Sequence, residues 1–170
     1  NHIDEVVEYR TKTMDMAKSL GLDSFYIEED MNKFQEIAKD DNAVSQFVFN
    51  EYHKIDDYLI SHDRFETMTL MLTGGIIESM YFTGRAIEEY GISDLKYTLL
   101  LNERNTISQL VDLLENFKSN EKDLKLRSEL DTLKTAFSSF SSKEELTKEK
   151  ITELDELVIN LRNKITNNEL

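Results

Sequence analysis

Cysteine is absent from this chain. That excludes disulfides, iron–sulfur clusters, thiolate zinc sites and a cysteine nucleophile. Proline is absent as well, so no helix is interrupted by one. Glycine occurs only five times in 170 residues, and no glycine-rich phosphate cradle or Walker loop is present. The three histidines stand in no HExxH or Glu-x-x-His arrangement, which removes the usual zinc-protease and di-iron bundle signatures. Basic residues are in short supply: 20 Lys and Arg face 34 Asp and Glu, a formal net charge of −14. The excess lies mostly in residues 1–90, with 19 acids and 8 bases, against 15 and 12 in 91–170. Such a field repels phosphate backbones and anionic lipid, so nucleic acid is not an expected partner. Also missing is an apolar run of about 20 residues. The longest candidate, Met68 to Gly84, is broken by Glu78 and by Gly74-Gly75, so no transmembrane segment is expected.

What remains is helical periodicity. Apolar residues recur at three- and four-residue spacing over about 2–20, 27–39, 43–61, 64–90, 94–118, 121–140 and 143–166. Gly21 and Gly91 read as C-terminal stops. Asn42 reads as the cap of the third helix, Asp63 with Glu66 as a capping box for the fourth, Ser93 as the start of the fifth, and Ser142 with Glu145 as a capping box for the seventh. The fourth helix is apolar on most of its circumference, which predicts a place in the centre of a bundle. The stretch Asn102–Thr106 interrupts the fifth helix and reads as a kink or boundary, or alternatively as a place where Glu103 or Arg104 turns inward.

The sixth and seventh helices carry heptad-like stripes: Leu126, Leu130, Leu133, Phe137 and Phe140, then Ile151, Leu154, Val158, Leu161 and Ile165. Two such stripes joined by a short connection predict an antiparallel helical hairpin. The polar linker Ser119–Lys122 suggests a bundle over 1–118 and a hairpin over 119–170. The expected fold is therefore all-α: a bundle of about seven helices, with a central apolar fourth helix and a C-terminal hairpin.

Two features of the fourth helix stand out. Adjacent glycines inside a helix cost about 1 kcal/mol each against alanine, so something should offset them. Gly75, Ser79 and Thr83 stand four residues apart and, with Gly74, suggest a seam for close helix packing. A kink and the approach of a ligand are the alternatives. Glu78 is the sole acid between Glu66 and Glu88, on the same side as Arg85. A carboxylate on so apolar a helix needs a partner. Glu78, Tyr81, Arg85 and Glu103 are accordingly the candidates for a polar core or ligand site, with no catalytic, cofactor-binding or metal-binding residue identified. His53, near Asp56 and Asp57, reads as a solvated surface group.

The run Gly74-Gly75-Ile76-Ile77-Glu78-Ser79-Met80-Tyr81 resembles a Gly-Gly-aromatic-Ile-Glu-Gly-Leu-Tyr signature of an uncharacterised family of helical lipoproteins of Bacteroidota. Ile76, Ser79 and Met80 depart from it. The resemblance implies a cell-envelope location, periplasmic or lipid-anchored through an N-terminus removed before Asn1, and it implies no activity. The function expected is that of a non-enzymatic interaction or scaffold module with a protein partner and no cofactor. The alternative is a binder of a small hydrophobic or amphipathic ligand between the third, fourth and fifth helices, lined by Met68, Met71, Met80, Tyr81 and Phe82.

Overall fold

The computed structural model describes residues 2–22, 28–117 and 121–170, and the side chains of all these except 2–4, 6 and 28–31. The expected helix start at Ile27, the linker residues 118–120, and the side chains of Ile3 and Met31 lie outside the described set. All regular structure among the described residues is helical: α1 (His2–Ser19), α2 (Glu28–Ile37), α3 (Asp41–Ser61), α4 (Phe65–Tyr90), α5 (Asp94–Leu114), α6 (Glu121–Phe137), a 3₁₀ turn (Lys143–Glu145) and α7 (Lys148–Thr166). The protein is an all-α multi-helix bundle.

Local chemistry sets the helix ends. Gly21 adopts the left-handed conformation (φ +68°). The Leu22 N–H then reaches back to the Ala17 carbonyl and the Gly21 N–H to Lys18, at 2.9 Å each, which satisfies carbonyls that a helix end leaves unpaired. Gly91 ends α4 in the same way at φ +72°. Asp63 also lies in the left-handed region (φ +55°), with the Arg64 N–H bonded to Leu59 O at 2.8 Å. Asp63 therefore closes α3, in place of its expected role as the cap of α4. The α3 cap is Asp40, one carboxylate oxygen accepting from the Asn42 and Ala43 N–H groups at 3.0 and 3.1 Å; Asn42 is the second helical residue. Ser93 caps α5 as expected. Thr147, not Ser142, caps α7, because the residues after Ser142 make a 3₁₀ turn and Glu145 accepts from the Ser141 N–H at 2.7 Å.

The chain divides into two compact units, residues 1–65 and 66–170, and not at residue 118. In the first, α2 packs on α3, and Ala17, Leu22, Phe34, Ala38, Ile55 and Leu59 are buried. A charged pair is buried there too: Arg10 donates to Glu51 at 2.5 Å, with its guanidinium carbon 5.5 Å from the ring centres of both Phe34 and Phe47.

The second unit has one continuous core drawn from α4 to α7 and the segment between α6 and α7. Both heptad stripes contribute to it except for Ile165, which is exposed, and α5 and α6 make the most extensive helix pair. The sixth and seventh helices thus pack into one core with α4 and α5. Burying a Leu or Phe of this core stabilises by about 1.5–3 kcal/mol. α5 runs unbroken through Asn102–Thr106, since Glu103 falls in phase with its buried positions Leu100, Ile107, Leu110 and Leu114. α4 contributes Ile77, Met80 and Ile87 to the core, while Phe82 on its far side is 62% exposed.

Candidate functional site

The polar residues singled out on α4 do not form one cluster. They separate into a seam with α7 and a seam with α5.

Toward α7, Glu78 accepts from Arg162 Nε and Nη2 at 2.7 and 3.0 Å. Seven residues on, Arg85 donates to Asp155 at 2.5 Å and also pairs with Glu88 at 2.7 Å. Arg85 is therefore not the partner of Glu78. Tyr81 lies between the two pairs, its ring centre 4.5 Å from the Arg162 guanidinium carbon and 5.6 Å from that of Arg85. The hydrogen bond from Arg162 holds the Glu78 carboxyl below its ordinary range. Both partners are part-exposed, so water screens the pair and its contribution falls within roughly 0–1 kcal/mol. Asp155 and Arg162 are absent from the sequence-based candidates. The signal that could have found them is the matched spacing: acid then base seven apart on α4, acid then base seven apart on α7, which pair when the helices run antiparallel.

Toward α5, Glu103 is buried, and its Oε1 accepts from the Ser79 and Thr83 hydroxyls, each at 3.1 Å. Its Oε2 is buried with no hydrogen-bond partner among the described residues. Desolvation pushes this carboxyl above its ordinary range against the pull of the two hydroxyls. Glu103 thus turns inward as the alternative reading of Asn102–Thr106 has it, but toward Ser79 and Thr83 and not Glu78. Arg104 donates to the Phe140 carbonyl at 3.2 Å.

Ser79 and Thr83 face α5 through Glu103. Gly74 and Gly75 are exposed, and a Cβ on Gly74 would meet nothing within 4 Å, so Gly74 is not a close-packing residue. At Gly84 a neighbour does approach closely: a Cβ there would collide with Asp155 Oδ1. Of the residues expected to line a ligand site, Met80 is buried in the core, whereas Phe82 is 62% exposed.

The first unit carries a different kind of feature. Val44, Ser45, Val48, Phe49, Tyr52, His53 and Asp56 line a shallow, open depression along α3, every described lining residue belonging to that one helix. Val48 and Phe49 are 47% and 61% exposed. His53 packs edge-on against Phe49, ring centres 4.3 Å apart. Asp56 Oδ1 is buried without a hydrogen-bond partner among the described residues. Desolvation raises the Asp56 carboxyl, opposed by nearby His53, and raises the Tyr52 hydroxyl with help from Asp56.

Among the described residues, no three His, Asp or Glu side chains gather closely enough to hold a metal ion, and no helix is long and apolar enough to cross a membrane. No family model, no curated protein and no solved structure matches the chain.

Proposed function

We propose that this protein is a non-enzymatic interaction module that receives a basic amphipathic helix of a partner protein in the α3 depression. The observation that carries this reading is the stripe of Val44, Val48, Phe49 and Tyr52, which leaves two large apolar side chains exposed on one helix. A helix laid along such a stripe buries it through its own apolar positions. Charge sets the sign of the partner. Residues 1–65 hold 15 acids and 7 bases, and Asp56 offers a buried carboxylate oxygen with no donor among the described residues. A lysine or arginine of the partner helix supplies one. The polar residues of α4, by contrast, are engaged with one another and with α7 and α5. A cell-envelope location belongs to the same proposal and is supported by the Gly74–Tyr81 resemblance alone.

The test is a fluorescence titration with a short amphipathic Leu/Lys helix and with a scrambled peptide of equal composition. The amphipathic peptide is expected to bind saturably and the scrambled one at least tenfold more weakly. The double variant Val48→Asp/Phe49→Asp changes only exposed side chains and should abolish binding. Equal binding of both peptides, or binding unaffected by the double variant, would reduce the effect to bulk charge and overturn the reading.

A further inference from the structure

A second feature lies in the other unit and is independent of the α3 depression. A pocket of about 250 Å³ opens between the first half of α4, the start of α6 and the end of the chain. Its apolar walls come from Leu70, Leu126, Ile165 and Leu170. Gly74 forms part of its mouth, and the missing side chain there leaves space that no other heavy atom fills within 4 Å of a Cβ position. The polar wall comes from Thr73, Lys122, Asp123 and Asn168; Lys122 Nζ donates to Asn168 Oδ1 at 2.8 Å, whereas Asp123 is 4% exposed and its Oδ2 has no hydrogen-bond partner among the described residues. A carboxylate so deeply buried requires donors. Its neighbour is a second carboxyl, Glu66, which hydrogen-bonds to Asp123 and is raised by burial and by the adjacent acid. A hydrogen bond between two carboxyls needs a proton on one of them, so the pair holds that proton and leaves one negative charge, with Asp123 Oδ2 still lacking a donor among the described residues.

We propose that this pocket binds a small primary amine, its ammonium group on the Asp123 carboxylate beside Glu66 and its short apolar body on Leu70, Leu126 and Ile165. An ammonium has three donors and no acceptor, which matches an orphaned carboxylate oxygen with a second carboxyl next to it. A divalent cation fits less well. Calcium takes six to eight oxygens, and no third His, Asp or Glu joins the pair among the described residues. An anionic or purely apolar molecule would leave Asp123 Oδ2 without a donor. The glycine at position 74 acquires a purpose on this reading: a side chain there would narrow the mouth.

The experiment is an amide NMR titration of the isotope-labelled full chain with n-pentylamine, n-pentanol, pentanoate and calcium, each alone. Pentylamine should produce saturable shifts centred on Gly74, Asp123, Leu126 and Ile165, with pentanol and pentanoate binding at least tenfold more weakly. Asp123→Asn should weaken the amine at least tenfold. Because a change at a buried acid can disturb folding, Gly74→Leu provides the second arm: its site is exposed, it fills the mouth, and it should block the amine with the remaining spectrum preserved. The proposal is overturned if pentanol or pentanoate binds as well as the amine, if calcium shifts the same amides, if Gly74→Leu leaves amine binding intact, or if no saturable shift occurs.

Discussion

Gly74 and Gly84 lie on the same helix and should respond in opposite ways to the same added methyl. At Gly74 the methyl meets open space, so Gly74→Ala should stabilise by about 0.5–1 kcal/mol through helix propensity. At Gly84 it lands on Asp155 Oδ1. The part-exposed carboxylate must then shift, at the expense of its bond to Arg85. Overpacking of about 1–3 kcal/mol outweighs the propensity gain, for a net loss on the order of 1 kcal/mol. Urea unfolding of the two single variants checks both signs. Glu103 carries a pH signature. Its folded carboxyl is raised above the ordinary value of 4.5, so the native state holds the proton more tightly than the unfolded chain. That contribution is present below pH 4.5 and is lost as pH rises through the folded value. In Glu103→Gln the loss disappears. The stability difference between variant and parent should therefore shift in favour of the variant between pH 4.5 and 7.5, measured by urea midpoints; a constant difference would mean that Glu103 titrates normally.

At the scale of the element, the start of α3 separates two candidates that a capping pattern alone leaves adjacent. Asp40 accepts from two backbone N–H groups, while Asn42 supplies one of them. Asp40→Ala should cost about 1 kcal/mol and Asn42→Ala a few tenths, again by urea unfolding. Three consecutive residues, Asp40, Asp41 and Asn42, are all good caps, which is why spacing could not choose among them. Asn102–Thr106 misled for a related reason. Its polar side chains read as a break, but the helical phase of Leu100, Glu103 and Ile107 runs through it. Phase survives an inward polar residue when that residue finds hydroxyl partners, and here Ser79 and Thr83 provide them.

For the whole molecule, helix number and most helix faces were legible because burial of an apolar stripe is written locally, at spacings of three and four. Which stripe meets which is not written locally. The pairing of Glu78 with Arg162 spans 84 residues, and the division into units depends on such long-range contacts. A polar linker at 119–122 looks like a boundary in composition. The core says otherwise: Leu126, Leu130, Leu133, Phe137, Phe140, Leu146, Leu154, Val158 and Leu161 share one cluster with eight side chains of α4 and α5. A fragment of residues 1–118 loses these nine and should melt without cooperativity, whereas residues 66–170 should retain a sigmoidal thermal transition in circular dichroism. The reverse pattern would restore the boundary at 118.

The buried Arg10–Glu51 pair has a consequence for how the sequence can drift. Breaking a buried ion pair by losing one member costs about 3–5 kcal/mol, while replacing both by apolar residues of similar volume is often neutral or favourable. The Arg10 guanidinium also rests against the adjoining rings of Phe34 and Phe47, so its loss removes packing as well as charge. Single steps away from the pair are disfavoured and joint steps are open. Related chains should therefore change positions 10 and 51 together, as another acid–base couple or as two apolar residues, and an alignment in which the two vary independently would show that the pair does not hold α1 to α3.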